Sequence, residues 1–258
     1  GGFGGTDIWV SEFTNTGWTE PKNLGPSVNT SKDEQFPFIH ADNNTLYFSS
    51  NGHPGMGKSD LYLARKIDDK SWGLPINLGY PINTRGQDWN LVVARNGKTA
   101  YFSSDQLDGL GGLDIYSFEL PNNLQANKVN YLRGYVRDAL TKLPLSADVE
   151  LTPINGESST ITYANPDQGM FLIPLKTNME YALTIDKNDY LFYSENYNMP
   201  NIQTDEPIEI IIDLEKIELG NTVVLSNIFF DTDEFELREE SIQELEKLVL
   251  FLKENKNI

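Results

Sequence analysis

The sequence predicts a mostly β protein assembled from small modules, and three observations carry that expectation. The composition is rich in turn formers, a block of residues recurs at a spacing of 54 positions, and the one stretch with sustained helical periodicity lies near residue 250. Gly 20, Pro 13 and Tyr 12 favour strands and tight turns over a helical bundle. With 258 residues, the chain can hold one large domain or two to three small ones.

The repeat comes first. Asn23-Leu24-Gly25 returns as Asn77-Leu78-Gly79, Trp18 as Trp72, Asn29-Thr30 as Asn83-Thr84, and Tyr47-Phe48-Ser49-Ser50 as Tyr101-Phe102-Ser103-Ser104, each 54 positions on. A Gly-rich segment ending in Asp-apolar-aromatic occurs as Asp7-Ile8-Trp9, Asp60-Leu61-Tyr62 and Asp114-Ile115-Tyr116. Within each unit, apolar runs such as Phe36 to Ile39 and Thr45 to Phe48 are separated by the turn formers Asn43-Asn44, or by Asn96-Gly97 in the next copy. The Trp18 and Trp72 segments supply a fourth strand. Four short strands per unit of this length are the signature of a β-propeller blade.

Tyr47 through Asn51-Gly52, then Gly55-Met56-Gly57-Lys58-Ser59-Asp60-Leu61-Tyr62, resemble the WD40-like (TolB-type) propeller repeat, as does Tyr101 through Gly111-Gly112-Leu113-Asp114-Ile115-Tyr116. The resemblance covers residues 1–121 and implies the C-terminal blades of a propeller. Closure needs at least four blades, so further blades are expected upstream. The opening Gly1-Gly2-Phe3-Gly4-Gly5 reads as the middle of a repeat, and the lack of a signal peptide is uninformative.

Gly52 to Ser59 also matches G-x-x-x-x-G-K-[ST], the pattern of a phosphate-cradling loop. That chemistry needs a helix next, whose first N–H groups hold the phosphates. The residues that follow, Asp60-Leu61-Tyr62-Leu63-Ala64, read as a strand, and the other copies of the loop keep glycines but lack the lysine. The loop is therefore expected to be a strand connection. Asp7, Asp60 and Asp114 are expected to satisfy local backbone N–H groups, with calcium ligation as the alternative.

Asn122 to Asn127 is polar and aperiodic, and residues 122–130 read as a linker. Alternation resumes at Leu132 to Arg137, with further strands expected at Ala147–Thr152, Ser159–Tyr163, Met170–Pro174, Glu180–Asp186, Phe192–Tyr197 and Ile208–Leu214. About seven short strands suggest a small β-sandwich over 131–216. Tyr131 to Ala139, Pro144 to Leu151 and Gly169 to Leu175 look like the carboxypeptidase-regulatory-like (transthyretin-like) family, a structural or binding module that is not a peptidase.

From 217 to 258 the composition shifts. Val223 to Leu225 and Ile228 to Phe230 read as an apolar strand, Asp231-Thr232-Asp233 as a turn, and a helix is expected from Glu239. Ile242, Leu245, Leu248, Val249 and Leu252 share one helical face. Asn227 to Asp233, Leu237 to Ser241 and Leu245 to Leu252 are similar to the start of the OmpA-like, peptidoglycan-binding domain, about its first third. That resemblance puts Phe230 and Asp231 at the edge of a peptidoglycan pocket. The plain reading is a core aromatic and a turn carboxylate. The main ligand-holding Asp and Arg would fall beyond Ile258, so this segment is not expected to grip the wall alone.

The net charge of −18 opposes nucleic acid and anionic lipid surfaces. Without cysteine there are no disulfides, thiolate metal sites or thiol nucleophiles. His40 and His53 are the two histidines, and neither begins a zinc-protease pattern. No enzyme, cofactor or metal is expected, and no run of apolar residues is long enough for a membrane-spanning helix. The order propeller, sandwich, OmpA-like domain resembles envelope proteins of Bacteroidetes-type bacteria, including the peptidoglycan-associated subunit of the type IX secretion system. It implies a periplasmic, outer-membrane-associated lipoprotein scaffold. Its OmpA-like domain, when complete, would hold peptidoglycan, and its β surfaces would bind envelope or secretion proteins. The alternative is an envelope carbohydrate-binding protein using Trp18, Trp72 or Trp89. Repetition favours a blade-core role for Trp18 and Trp72, whereas Gln35 is the counterpart of Trp89, whose exposure discriminates.

Overall fold

The computed structural model describes residues 2–255 apart from 15–16, 69–70, 106–108, 155–158, 177–178, 200–205, 219, 229, 231–234 and 238. Among the described residues strands account for 48% and helix for 7%, so the protein is mostly β, and no described sheet closes into a barrel. Two compact units divide it, Gly1–Val129 and Asn130–Ile258.

The first unit opens with two short strand pairs, β1 (Trp9–Val10) with β4 (Lys22–Asn23), and β2 (Phe13–Thr14) with β3 (Gly17–Trp18). A larger sheet follows: β5 (Glu34–Ile39), β6 (Thr45–Ser50), β7 (Asp60–Asp68) and β8 (Ser71–Trp72) in that order, with β9 (Ile76–Asn77) also on β7. The next sheet, β10 (Asp88–Val93), β11 (Thr99–Ser104) and β12 (Asp114–Glu119), repeats β5, β6 and the start of β7 at 54 positions. The repetition extends to irregularities. Both β5–β6 and β10–β11 slip register, between Gln35 and Phe38 and between Trp89 and Val92. Phe36 and Asn90, equivalent positions inside those slips, both have positive φ, at 51° and 54°.

The sequence motif Asn-Leu-Gly has a physical cause. Gly25 and Gly79 are left-handed, at φ 86° and 73°, where a side chain would be strained. Each donates its N–H to the Asn two residues back, Asn23 and Asn77, at 2.8 Å. Those same oxygens accept from Asn29 and Asn83, again at 2.8 Å. Asn29 in turn holds both backbone groups of Ile8 (2.8 and 2.9 Å), and Asn83 both groups of Leu61 (2.7 and 2.9 Å). One buried amide thus ties each loop to a strand in place of a ladder partner.

Burial explains why β6 is apolar on both sides: all six of its residues are buried. Tyr47 shares one cluster with Leu61, Leu63, Leu91 and Phe102, while Leu46 and Phe48 belong to another with Ile8, Val28 and Tyr62. Leu124 and Ala126, expected in a linker, are buried in the first of these clusters, with the Leu124 carbonyl accepting from the Tyr47 hydroxyl at 2.7 Å. The segment is structured because two apolar side chains in a polar run suffice to anchor it.

The second unit begins with β13 (Val129–Asp138), followed by β14 (Asp148–Pro153), β15 (Thr160–Tyr163), β16 (Met170–Lys176), β17 (Met179–Asp186), β18 (Tyr193–Met199) and β19 (Ile208–Leu214). These form one sheet in the order β16-β13-β19, with β13 and β19 parallel, and another in the order β15-β14-β17-β18. Leu132, Val136, Phe171 and Ile212 of the first sheet share one apolar cluster with Val149, Leu151, Leu183 and Ile185 of the second. Alternation along β13 and β16 places the inward residues as the sequence predicts. At Gly134 a Cβ would meet the Phe171 ring at 2.0 Å, so the sheet accepts no side chain there.

Residues 221–228 form no strand, contrary to expectation, and Phe230 makes only an isolated bridge to Leu237. Apolar content alone does not make a strand. The ladder needs an edge to pair with, and none of the described strands pairs with this segment. Helix α1 (Glu239–Glu254) begins where the periodicity predicts.

Replacing Asn83 with Ala leaves the Leu61 N–H without its buried acceptor, while the Leu61 carbonyl keeps the Leu78 N–H. Chemical denaturation of the variant is expected to show a loss of roughly 1–3 kcal/mol.

Candidate binding surfaces

The Gly-rich loops are held from within. Asp7 accepts from the N–H groups of Phe3 and Gly4, Asp60 from Met56 and Gly57 at 2.9 and 3.1 Å, and Asp114 from Gly111 at 3.0 Å. A Cβ at Gly55 would lie 1.8 Å from an Asp60 oxygen, which explains the glycine. Strand β7, not a helix, follows Lys58, and the Lys58 N–H donates to Gly86. The phosphate-loop pattern therefore has a strand connection under it.

A second set of acids anchors the start of the first strand of each of the two larger sheets, β5 and β10. Glu34 accepts from Thr30 N–H (2.7 Å), Thr30 hydroxyl (2.7 Å) and Ser50 hydroxyl (2.7 Å). Asp88 accepts from the equivalent Thr84 N–H (2.7 Å) and hydroxyl and from Ser104 hydroxyl (2.7 Å). Asp42 holds the hairpin turn through the N–H groups of Asn44 and Thr45 and also binds the Asn127 N–H at 2.9 Å. Burial pushes the Asp42 carboxyl up, but His40, the Asn44 and Asn127 amides and Thr45 outweigh it and hold it at about 2.

Both histidines are engaged with backbone, His40 Nε2 with the Ala94 carbonyl at 3.1 Å and His53 Nε2 with the Val28 carbonyl at 2.7 Å. His53 also packs against Phe48 and Tyr62. Among the described residues no group of three or more His, Asp or Glu side chains could hold a metal ion.

The tryptophans divide differently from expectation. Trp72 is half-buried against the Leu46–Phe48 cluster, but its repeat Trp18 is 72% exposed and stands edge-on to Phe13 at 5.3 Å. β3 lies in a two-stranded pair with no larger sheet beside it, so the same residue type finds no core. Trp89 is half-buried against Phe36 at 5.5 Å, and its indole nitrogen is buried without an acceptor among the described residues. Trp89 is thus a packed side chain, whereas Trp18 is the open one.

In the second unit, α1 lies against the β14–β17–β18 sheet through polar residues. Glu244, 5% exposed, accepts from the Ser194 hydroxyl at 2.5 Å and the Asn227 N–H at 3.4 Å, and Asn227 Nδ2 donates to Ser194. Lys247 pairs with Glu150 at 2.7 Å, and Phe251 meets Phe192 edge-on. Of the five residues that share one helical face, Ile242, Val249 and Leu252 are exposed, and Leu245 and Leu248 are half-buried. A cleft of about 650 Å³ opens beside the helix, lined by Asp148, Asp186, Asp189, Lys187, Lys247 and Phe251 among others. Sequence periodicity locates an apolar stripe but does not say which face meets the neighbouring sheet. The Ser194–Asn227–Glu244 triangle carried no sequence signal, since its members lie 17 to 50 positions apart.

Phe230, placed by resemblance at a pocket edge, is 51% exposed and not a core aromatic. Asp231 lies outside the described residues. No helix among the described residues is long and apolar enough to cross a membrane.

No protein-family pattern matches the chain and no curated protein does. Among solved structures, the Bacillus anthracis TIE protein is similar over 70% of this chain and 31% of its own length, at 15% identity and a TM-score of 0.31. A C-terminal fragment of the pilus adhesin SpaC from Lactobacillus rhamnosus GG is similar over 82% of this chain and 89% of its own, at 11% identity and a TM-score of 0.32. The chain therefore spans about a third of the first of these proteins. Likeness at this level carries nothing about family or activity.

Asp42 is held below its ordinary range by folding, so the unfolded chain takes up a proton first as pH falls. Its contribution is complete above about pH 4, the ordinary carboxylate value, and declines down to about 2. Asp138 is lowered as well, chiefly by the Thr141 N–H and the Tyr190 hydroxyl. Melting temperature measured against pH is expected to fall through this window, and Asp42→Asn to flatten part of the fall. In the second unit, Glu244→Ala strands the Ser194 hydroxyl and Asn227 N–H. Amide exchange across α1 is expected to quicken, matching a loss of roughly 1–3 kcal/mol.

Proposed function

We propose that the chain belongs to a non-enzymatic scaffold of the bacterial envelope, one that joins a protein-binding array of β-sheets to a segment that anchors on peptidoglycan. In this reading the first unit is an arc of WD40-like propeller blades. The paired sheets of the second are a transthyretin-like sandwich, and residues 217–258 open an OmpA-like domain with Phe230 and Asp231 at its pocket edge. The setting is the periplasmic side of the outer membrane, with type IX secretion as the system that the order of modules resembles.

The observation that carries the reading is how the polar side chains of the repeats are used. Glu34, Asp42, Asp60, Asp88, Asn29 and Asn83 are buried and bound to backbone or hydroxyl groups of the same fold. Residues spent this way build rigid sheets, and rigid sheets with exposed loops suit binding. A second reading, carbohydrate binding, is favoured by the exposed Trp18–Phe13 pair, because an open indole face can stack on a sugar ring.

The natural polypeptide mixed with isolated cell-wall sacculi and sedimented is expected to be retained. Phe230→Ala and Asp231→Ala should each lower retention several-fold, while Trp18→Ala leaves it unchanged. Loss with Trp18→Ala alone would favour the sugar reading, and no retention at all would remove the anchoring role.

A further inference from the structure

Polar groups that meet in a buried contact must share their protons and balance their charges, and the seat of α1 does neither completely. Glu244 is 5% exposed, and its carboxylate accepts from the Ser194 hydroxyl and the Asn227 N–H. Neither donor carries a charge. Lys247, a turn further along α1, has its ammonium on Glu150 at 2.7 Å. Among the described residues no salt bridge reaches Glu244. A carboxylate buried in this way is costly unless a positive charge stands beside it.

The neighbouring amide is short of a partner on its oxygen side. Ser194 gives its one proton to Glu244, so it can only accept from Asn227, which presents Nδ2 to it at 2.5 Å. That fixes the amide with Oδ1 turned away from Ser194. Asn227 is 1% exposed, and this oxygen is buried with no donor among the described residues. Asn227 and Glu244 both line a cavity of about 20 Å³, together with Thr152, Thr184, Lys247 and two apolar residues. One water-sized particle needs about 10–15 Å³, so the cavity has room for one and not for several. The side chains around it thus offer a carboxylate, an amide oxygen and hydroxyl oxygens.

We propose that this cavity is a site for a single monovalent metal cation, sodium or potassium, held by Asn227 Oδ1, the Glu244 carboxylate and the Thr184 hydroxyl oxygen. Hard cations take oxygen ligands of this kind. Calcium asks for six to eight oxygens and magnesium keeps several waters, and a space of about one particle with one carboxylate suits neither. A water would give protons to the oxygens but no charge to balance Glu244. The chain's net charge of −18 raises the local concentration of cations. Asn227 lies before α1, Glu244 on it and Thr184 on β17, so the ion ties three separate segments together and makes the seating of the helix depend on salt identity.

Amide exchange along α1, measured on the intact chain in sodium, potassium and tetramethylammonium chloride at one ionic strength, separates site binding from screening. The third cation is too large for the cavity. Exchange is expected to be slower in sodium or potassium, by about tenfold with the ion at ten times its Kd, and to saturate as that ion replaces tetramethylammonium. Glu244→Gln removes the charge at nearly constant shape, and Asn227→Ala removes the amide oxygen. Each should abolish the difference between salts. Glu246→Gln, which removes an exposed carboxylate from the same helix, should preserve it. Equal exchange in all three salts would mean that the cavity takes water only and would overturn the proposal. A difference that survives Glu244→Gln, or one that Glu246→Gln abolishes, would do the same. The comparison of salts uses the unaltered protein, so it stands even if a variant fails to fold. Sacculus retention is a separate readout, and the cation site holds or falls without it.

Discussion

Sheets buried on both faces leave their connecting loops partly buried as well, and every backbone N–H and C=O drawn inside must find a partner. That constraint organises the first unit. Strand ladders satisfy most of the groups, but the edges beside Ile8 and Leu61 have no strand to pair with where the loops cross. Asn29 and Asn83 supply an amide there, matching one N–H and one C=O at once. Glu34, Asp88, Asp42 and Asp60 accept backbone N–H groups with carboxylates at the turns. Donors surround Glu34, Asp42 and Asp88, so a strongly acidic chain can bury them. Asp60 differs, with one carboxylate oxygen buried without a partner among the described residues and its pKa raised by burial and by Asp88.

The same residues account for what the repeat does and does not conserve internally. Positions that satisfy backbone recur with little change: Asn23 and Asn77, Asn29 and Asn83, Gly25 and Gly79. Positions that only fill space vary in size, as with Leu46 and Ala100 or Ala64 and Phe118. Packing tolerates exchange of volume between facing layers, whereas a hydrogen-bonding geometry has one solution. Lys58 varies freely for the further reason that its side chain is exposed and only its backbone is used.

The second unit combines two kinds of contact. Its paired sheets share an ordinary apolar core, but α1 is seated on them by Glu244, Lys247 and Phe251, with Ile242, Val249 and Leu252 exposed. A polar seat is specific in register. It is weaker per area than an apolar one, because each buried hydrogen bond replaces one made to water. The helix is thus fixed in place without burying the residues that would bind most strongly to another apolar surface.

Much of this was legible in the residues. The 54-position spacing located the repeat sheets, alternation located the strands of the second unit, and Glu239 marked the helix start, because these features depend on local periodicity and turn chemistry. Missing partners in the other copies also marked the Lys58 loop as a strand connection. What the sequence could not decide were the matters set by neighbours distant in the chain. Trp18 and Trp72 are the same residue in the same repeat, yet one is open and one half-buried, because only one has a larger sheet beside it. Leu124 and Ala126 lie in a polar run yet enter a core, and Val223, Val224, Leu225 and Ile228 are apolar yet join none of the described strands. The orientation of α1 depended on Ser194 and Asn227, which only folding brings to Glu244. Periodicity is a property of the local chain, but burial is a property of what stands opposite, and only the tertiary structure supplies that.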